Sequence, residues 1–333
     1  MIKADTPALI ALDWGTSSLR AFLITARGDV IDTRASAHGI QHLPQPGVAG
    51  FEAAFAAICG DWLAQAPVPV VAGGMVGSAQ GWHEVPYLPC PAPLTALPQG
   101  AERVTTALGH PILIAPGLIH SPAGTPPDVM RGEEIQIAGA IAGHPDRQAR
   151  ATLILPGTHS KWAQVEGGAV IGFETHMTGE MFALLRDHSI LGRLMSDAPL
   201  DEPARNAAFL RGVAEAARPD AGGLTHQLFG TRTLGLTGQL PGEALAGQLP
   251  GEALADYCSG LLIGHEICAG LAARSGGPLL LVGSTALCAR YDSALRAISG
   301  SGADAIIENP APAGLFRLAC DAGLLTPEHG DLT

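Results

Sequence analysis

The feature that most constrains the fold is a pattern of strand, polar loop, strand, turn and strand that occurs twice in the chain. The apolar runs that predict these strands span residues 8–13, 19–25, 30–37, 152–155, 162–165 and 169–173. In each copy a loop rich in glycine and hydroxyl residues follows the first strand, and a turn containing glycine joins the last two strands. The double pattern predicts two α/β domains of one ancestral fold.

The two polar loops resemble two halves of a phosphate clamp. Backbone N–H and side-chain O–H groups that are exposed directly after a strand can bind phosphate oxygens. The candidate nucleotide ligands in these loops are Gly15, Thr16, Ser17, Ser18, Arg20, Gly157, Thr158, His159, Ser160 and Lys161. Lys161 and Lys3 are the only lysines of the chain, which favours a function for Lys161. A nucleotide held by both loops implies two lobes, a cleft between them and phosphoryl transfer.

The remaining elements are predicted from periodicity and from glycine and proline. Helices are predicted at 51–65, 133–143, 256–274 and 285–298 and near 315–324, and further strands at 68–72, 111–115, 277–282 and 303–307. Proline favours loops at 86–98 and 116–127. A meander followed by alternating helices and strands is typical of an actin-like or ribonuclease-H-like domain. We expect an amino-terminal domain at 1–128 and a carboxy-terminal domain at 129–333.

Composition excludes several classes of function. The net charge of −12 argues against a broad nucleic-acid or anionic-membrane surface. Six cysteines without a CxxC pair predict buried, reduced thiols. The amino terminus lacks a signal peptide, and the charge-poor stretches are broken by proline and glycine, so we expect a cytoplasmic protein that does not cross a membrane.

An exact repeat of nine residues, GQLPGEALA, occupies residues 238–246 and 247–255. Two copies are too few for a solenoid, which needs at least about three repeats. We interpret it as a tandem duplication in a surface loop and assign it no function.

Three further positions have chemistry suited to a phosphoryl transferase. Asp13 ends a strand at the mouth of the first loop, where a carboxylate suits Mg²⁺ bound through water; the alternative is a turn or cap residue. Arg20 can donate to phosphate oxygens or be a surface charge of its strand. Gly283 and Ser284 form a corner between a strand and a helix where adenosine could rest, although such corners are also common without a ligand.

Five segments together resemble the 2-dehydro-3-deoxygalactonokinase family, within the superfamily of actin, sugar kinases and Hsp70. The segments are LDWGTSSLRAFL, AGGMVGSAQGWHEVPYLPCPA, DVMRGEEIQIAGA, LPGTHSKW and FETHMTGEMFALL, in the family's order over nearly the whole chain. The nine-residue duplication departs from the family. The resemblance implies two ribonuclease-H-like (actin-like ATPase) domains and phosphorylation of 2-dehydro-3-deoxy-D-galactonate at its 6-hydroxyl, in D-galactonate catabolism, with ATP and Mg²⁺.

The resemblance also implies where the catalytic base lies. Sugar kinases of this superfamily use an aspartate at the head of a helix before the second phosphate loop. Here that place is Arg131-Gly132-Glu133-Glu134, which supplies glutamates instead. Glu133 is the first candidate, Glu134 the second and Asp128 the third. One of the two glutamates is expected to act only as a helix amino-terminal charge.

The expected substrate contacts come from both domains. They are Gly74, Met75, Gly77, Ser78, Trp82, Arg131, Thr178, Gly179 and Glu180. Trp82 is either an apolar wall under the sugar chain or a core residue. Arg131 is the first candidate for binding the substrate carboxylate, because arginine binds carboxylates through two N–H groups, and Arg186 is the second.

Two other functions stay open on the sequence alone. One is a kinase for another sugar or sugar acid, since phosphate loops say little about the acceptor. The other is an actin-like or Hsp70-like ATPase that works as a binding switch or filament. The oligomeric state is also open, with a homodimer as one alternative.

Overall fold

The structure, a computed structural model, describes residues 6–237 and 251–325. The strands in these ranges are β1 (Pro7–Trp14), β2 (Leu19–Thr25), β3 (Val30–Ser36), β4 (Val70–Gly73), β5 (Tyr87–Pro89), β6 (Ala92–Pro93), β7 (Glu102–Thr105), β8 (Pro111–Ile114), β9 (Gly117–His120), β10 (Asp128–Met130), β11 (Arg150–Leu155), β12 (Ser160–Glu166), β13 (Ala169–His176), β14 (Leu279–Val282) and β15 (Ala305–Ile307).

The helices in the same ranges are α1 (Val48–Gln65), α2 (Leu97–Gly100), α3 (Glu133–Ile141), α4 (Pro145–Ala149), α5 (Thr178–His188), α6 (Glu202–Ala216), α7 (Leu224–Thr237), α8 (Gly251–Ala273), α9 (Thr285–Ser299) and α10 (Ala311–Asp321). Short 3₁₀ turns lie at Met75–Gly77, Leu94–Ala96 and Gly192–Leu194. None of the helices in the described ranges is long and apolar enough to cross a membrane.

Both large sheets have the strand order of a ribonuclease-H-like domain. The first runs β3-β2-β1-β4-β8-β7, in which β1 to β3 form an antiparallel meander and β4 and β8 add in parallel. The second runs β15-β14-β11-β12-β13-β6, and there β14 pairs in parallel with both β11 and β15. A small third sheet has the order β10-β9-β5. The prediction of two such α/β folds from the doubled pattern is confirmed.

The chain separates into two compact units. Among the described residues, the first unit holds those up to Ala151, Ala163–Phe173 and those from Asn309 onward. The second holds Thr152–Trp162 and Glu174–Glu308. The domain boundary that the sequence suggested after residue 128 stays a prediction.

The core of the first unit forms around β1, whose Leu9 to Leu12 are all fully buried. Aromatic side chains from three segments pack beside it. The ring of Trp14 lies 5.5 Å from that of Phe51 and 5.9 Å from that of Trp82, and Phe51 and Trp82 stack with centroids 5.7 Å apart. Trp82 is only 8% exposed, which favours the core alternative for this residue.

The core of the second unit depends on close contact between α6 and α8. Gly260 and Gly264 lie at this contact: a Cβ on Gly260 would stand 1.9 Å from the carbonyl oxygen of Phe209, and one on Gly264 would stand 2.7 Å from the Cβ of Ala216. Any larger residue at Gly260 would push the helices apart. These two glycines allow α8 to pack closely against α6.

Two segments predicted as loops contain regular structure. Residues 86–98 include β5, β6 and the start of α2, and residues 116–127 include β9. The loop prediction rested on proline, which usually breaks strands because it lacks an N–H. β5 and β6 are edge strands, and there proline can be accommodated without the loss of a hydrogen bond between strands. Helices α5, α6 and α7 were not predicted.

The repeat and the cysteines give mixed outcomes. Residues 238–250, which hold the first copy of the repeat and part of the second, lie outside the described residues. The rest of the second copy, 251–255, begins α8 with Ala253 and Leu254 buried, so the surface-loop prediction is wrong for these five residues. All six cysteines are free thiols, as predicted, but the prediction of burial holds only for Cys59, Cys258 and Cys288; the other three are partly buried.

Candidate functional site

The first group of predicted site residues lies at one edge of the first sheet. Asp13 is the second-last residue of β1 and lies directly beside Gly73, the last residue of the parallel strand β4. Since carboxyl ends of parallel strands share an edge, the loops that follow both strands lie together. Asp13 is mostly buried and forms an ion pair with Arg20, with 2.5 Å between Oδ2 and Nη2.

The first phosphate loop is a tight turn with its hydroxyl groups on the outside. The N–H of Gly15 donates to the carbonyl of Ser18 at 2.9 Å, which closes the turn. Thr16, Ser17 and Ser18 are exposed. Behind the loop, the N–H of Gln41 donates to the carbonyl of Thr16 at 3.1 Å and holds the turn in place.

Two glycines bring three predicted segments into contact in the first unit. Gly74 has φ 95°, and a Cβ there would lie 2.8 Å from the carbonyl oxygen of Trp14. Gly132 has φ 107°, and a Cβ there would lie 3.3 Å from the Cα of Gly74. The phosphate loop, the 73–78 segment and the start of α3 therefore approach through backbone that only glycine allows.

The two candidate bases differ in burial. Glu133 is partly buried, and its Oε2 accepts the N–H of Arg131 at 3.0 Å. Glu134 is fully buried, and its Oε2 accepts the N–H of Gly132 at 2.7 Å. Burial, followed by the nearby charge of Glu133, raises the pKa of Glu134 to about 8. At neutral pH the Glu134 carboxyl is therefore mainly protonated.

Arg131 is a buried cation with unused hydrogen-bonding capacity. It is 9% exposed, its Nη2 donates to the carbonyl of Val85 at 2.6 Å, and its guanidinium lies 4.4 Å from the centre of the Tyr87 ring. Within the described residues, Nε and Nη1 have no hydrogen-bond partner. Gly77 makes room for Nη1, which would lie 3.0 Å from a Cβ at that position. Burying such N–H groups is costly unless a ligand accepts them.

The remaining predicted substrate residues of this unit support its structure. Met75 is partly buried in a 3₁₀ turn, and its carbonyl accepts the hydroxyl of Ser78 at 2.8 Å. Trp82 lies in the aromatic core. Asp128, the third candidate base, lies in β10, opposite His120 of the neighbouring antiparallel strand β9.

The second group of predicted residues lies at one end of a cavity of about 690 Å³ in the second unit. Gly157, Thr158, Thr178 and Gly179 line this end, and α5, α6, α8 and α9 supply much of the remaining wall. A Cβ on Gly179 would lie 2.5 Å from the carbonyl oxygen of Gly157, and the N–H of Glu180 donates to the carbonyl of Thr158 at 3.0 Å. The structure thus brings the second phosphate loop and the start of α5 together.

The side chains of the second loop point in different directions. Thr158 and His159 are exposed, and a ring nitrogen of His159 hydrogen-bonds with Glu180. Ser160 and Lys161 are buried: the hydroxyl of Ser160 donates to Glu266 at 2.6 Å, and Nζ of Lys161 donates to the carbonyl of His159 at 3.1 Å. Thr158 and His159 therefore present the loop's accessible side chains.

The predicted adenosine corner adjoins the same loop. A Cβ on Gly283 would lie 3.8 Å from the carbonyl oxygen of Pro156, and Ser284 is exposed at the start of α9. Three residues of α9 line the cavity: Leu287, Arg290 and Tyr291. The corner thus starts the helix that forms one cavity wall.

The cavity wall also contains an ionic cluster that was not predicted from the sequence. Asp256 is 5% exposed and accepts from Nε of Arg205 at 3.0 Å and from Nη1 of Arg290 at 2.6 Å. The signal was present, because Asp256 is an acidic residue in a helix, α8, whose sequence is mainly apolar. Arg186, the second candidate for the substrate carboxylate, also lines this cavity and pairs with the neighbouring Asp187.

No group of three or more His, Cys, Asp or Glu side chains in residues 6–237 and 251–325 is arranged to hold a metal ion. Asp13 belongs to no such group, and one of its carboxylate oxygens is paired with Arg20. This fits Mg²⁺, which keeps several waters and usually takes only one or two protein carboxylates beside phosphate oxygens.

Comparison with known proteins supports the family resemblance. A family model described as 2-keto-3-deoxy-galactonokinase matches residues 13–318. The 2-dehydro-3-deoxygalactonokinase of Escherichia coli (strain K12) is 35% identical over 296 residues, which cover 88% of this chain and 91% of that protein. A Rhizobium meliloti (strain 1021) protein provisionally given the same name is 36% identical over 289 residues, covering 86% of this chain and 88% of that protein.

The fold of a relative is also similar. The crystal structure of a Sinorhizobium meliloti protein, provisionally described as a 2-dehydro-3-deoxygalactonokinase, matches with a TM-score of 0.78 at 32% identity. The match covers 93% of this chain and 98% of that one. The resemblance inferred from the five sequence segments is confirmed.

Proposed function

The chain belongs to the 2-keto-3-deoxy-galactonokinase family, and from this premise we propose that it transfers the γ-phosphoryl group of ATP to O6 of 2-dehydro-3-deoxy-D-galactonate. The product is 2-dehydro-3-deoxy-6-phospho-D-galactonate, and the step belongs to D-galactonate catabolism. A cytoplasmic location and a homodimer stay predictions.

The environment of Arg131 is the observation that supports a sugar acid as the substrate. A guanidinium that is 9% exposed and whose Nε and Nη1 have no hydrogen-bond partner among the described residues is suited to a charged acceptor such as a carboxylate. A neutral sugar would offer the guanidinium no opposite charge. We therefore assign the C1 carboxylate of the substrate to Arg131, with the backbone at Gly74 and Gly77 close to the sugar chain.

We assign the adenosine of ATP to the cavity in the second unit. Its volume of about 690 Å³ is within the range of small-molecule sites. Polar and apolar side chains both line the cavity, which suits a nucleoside. The ring of Phe182 and the side chain of Leu287 would contact the base. The phosphates would extend to the end formed by Gly157, Thr158 and Gly179. The exposed hydroxyls of the first loop are the second phosphate-binding group in this proposal.

The general base in this proposal is Glu133. A base must reach the hydroxyl whose proton it takes, and Glu133 is the glutamate that is not fully buried. Glu134, with its raised pKa and its bond to the N–H of Gly132, serves the start of α3. Glu133 would accept the proton of the 6-hydroxyl as the oxygen attacks phosphorus.

Asp13 would hold Mg²⁺ through water. The ion neutralises charge on the phosphates when it is bound. Arg20 keeps one carboxylate oxygen of Asp13 in a fixed direction and leaves the other for a water of the ion. Asp13 and Arg20 would thus act as one unit in orienting the metal.

A coupled assay tests the function against its alternatives. The purified chain is supplied with ATP, Mg²⁺ and either 2-dehydro-3-deoxy-D-galactonate, its gluconate epimer or neutral sugars, and the phosphorylated product is identified by mass spectrometry. We expect phosphorylation of the galactonate compound. ATP hydrolysis that does not depend on any acceptor, with no phosphorylated acid, would favour an ATPase switch, and phosphorylation of a neutral sugar alone would refute the assignment of Arg131.

The variant Glu133→Gln tests the base. Removing a positioned general base typically lowers the rate by about 10²–10⁴-fold, so kcat should fall by about that factor while both KM values change little. Asp128→Asn, the same change at the third candidate, is the matched control and should keep near-normal kcat. Near-normal turnover of Glu133→Gln would exclude Glu133 as the base.

A further inference from the structure

A buried carboxylate on α8 accepts four hydrogen bonds in the second unit. Glu266 is 3% exposed. Its Oε1 accepts the hydroxyl of Ser160 at 2.6 Å and the indole N–H of Trp162 at 2.9 Å. Its Oε2 accepts the hydroxyl of Thr178 at 2.5 Å and that of Tyr291 at 2.7 Å. The four donors come from three separate segments of the chain, all distant in sequence from Glu266.

The arrangement is chemically matched. A carboxylate only accepts hydrogen bonds, and here each oxygen receives two donors. Burial, and then the charge of Glu266, raise the pKa of Tyr291 well above its usual range, so its hydroxyl stays a donor. A buried charge is costly unless it is paired or hydrogen-bonded, and these four bonds offset that cost. Such a group has a defined position and therefore also fixes the positions of its donors.

Two of the donors belong to the proposed phosphate site. Ser160 lies within the second phosphate loop, 157–161, and Thr178 is the first residue of α5. Thr178 and Tyr291 also line the cavity, together with Gly157 of the loop. Glu266 is therefore directly behind the wall against which a nucleotide would rest.

We propose that Glu266 is a positioning residue that fixes the second phosphate loop against the start of α5 through Ser160 and Thr178. It would set the geometry in which this end of the cavity meets the phosphates, without touching the nucleotide itself. The inference rests on the proposed nucleotide site.

The network also changes the roles of its two hydroxyl residues. A hydroxyl has one proton, and the protons of Ser160 and Thr178 are used by Glu266. Neither hydroxyl can then donate to a phosphate oxygen. Removing the hydroxyl of Ser160 or of Thr178 should therefore weaken nucleotide binding only because the hydrogen bond to Glu266, which fixes that residue's position, is lost.

The variant Glu266→Gln tests this directly. The indole N–H of Trp162 can only donate, so the amide oxygen must face Trp162, and the amide nitrogen must face Thr178 and Tyr291. The charge-assisted bond that Thr178 donates to the carboxylate is thereby lost. Only a weaker, neutral bond from the amide nitrogen to the Thr178 hydroxyl oxygen can replace it, while the side chain keeps its shape. We expect the Kd for ADP, measured by calorimetry, and the KM for ATP to rise at least about tenfold. The KM for the acid substrate should stay within about twofold.

The matched control is Trp162→Phe. It removes a donor from the same carboxylate, and it also removes some packing. Trp162 does not line the cavity. This variant should lower the melting temperature at least as much as Glu266→Gln, with an ADP Kd within about threefold of wild type.

A second series separates positioning from folding. Thr178→Val should weaken ADP binding as Glu266→Gln does, and Thr178→Ser, which keeps the hydroxyl, should restore it. The double variant Glu266→Gln/Thr178→Val should bind ADP no more weakly than either single variant, because both remove one interaction.

The outcomes separate this inference from the proposed substrate. If Glu266→Gln lowers the melting temperature but keeps wild-type ADP binding and ATP KM, or if the double variant is additive, Glu266 is only structural and the inference fails. If the wild-type chain phosphorylates none of the acids but its ADP binding responds as described, the substrate proposal fails and the inference stands. A wild-type chain that does not bind ADP would refute both the nucleotide site and the inference.

Discussion

Replacing Glu134 by glutamine should change the pH dependence of stability in a defined direction. Glu134 is fully buried, and the folded structure raises its pKa from 4.5 to about 8. Between these two values the folded chain keeps a proton that the unfolded chain releases. Rising pH therefore favours unfolding: the stability that the protonated group contributes is fully present below the unfolded pKa and is lost as pH rises through the folded pKa.

The magnitude follows from linkage. Each pKa unit corresponds to about 1.4 kcal/mol, so between about pH 5.5 and about pH 8 the wild-type chain should lose about 3 kcal/mol of unfolding free energy through Glu134. Glutamine does not titrate. The glutamine amide changes the unfolding free energy by an amount that does not depend on pH. Its oxygen can accept the N–H of Gly132, and its nitrogen takes the place of the unpartnered Oε1 of Glu134. The difference between the two proteins should therefore grow by about 3 kcal/mol over this range.

Urea unfolding followed by tryptophan fluorescence measures this difference. Trp14, Trp62 and Trp82 belong to the same unit as Glu134, so the signal is dominated by the relevant unit. The unfolding free energies of wild type and Glu134→Gln are compared at several pH values across the range. A difference that stays constant with pH, or that shrinks as pH rises, would refute the raised pKa and with it the argument that leaves Glu133 as the base.

Two further predictions concern the first unit. Gly74→Ala should lower the unfolding free energy by about 1–3 kcal/mol, since φ is 95° and the new Cβ would lie 2.8 Å from the carbonyl oxygen of Trp14. Its control, Gly60→Ala in α1, meets no atom within 4 Å and should stabilise by about 0.5–1 kcal/mol; equal effects in urea unfolding would contradict the convergence at Gly74. Arg131→Lys should raise the KM for the acid at least about tenfold with ATP KM unchanged, because lysine cannot bind a carboxylate through a planar fork; an unchanged acid KM in the coupled assay would move the carboxylate to another residue.

The sequence predicted those parts of the fold that depend on neighbouring residues. The run before Asp13 is apolar enough to be a buried central strand, and the glycine turn at 27–29 joins two strands of matching length. Asp13 and Gly74 were predicted separately, as a metal and a substrate residue, and the parallel pairing of β1 with β4 in the structure brings the loops after both strands to one edge of the sheet. The helices of 178–237 lacked such signals, and proline at 86–98 obscured edge strands.

The tertiary structure decided which of several chemically equal groups is placed to act. Glu133 and Glu134 are identical and adjacent in sequence, but successive helical residues point about 100° apart, so one is partly exposed and the other fully buried. Ser160 has the same hydroxyl as Ser17, and only the packing of α8 turns it to a carboxylate 106 residues away. Sequence thus determined the elements, the loops and the kind of chemistry, because these depend on local propensity and pattern. Burial and hydrogen-bond partners depend on contacts between distant segments, and these assigned the individual roles.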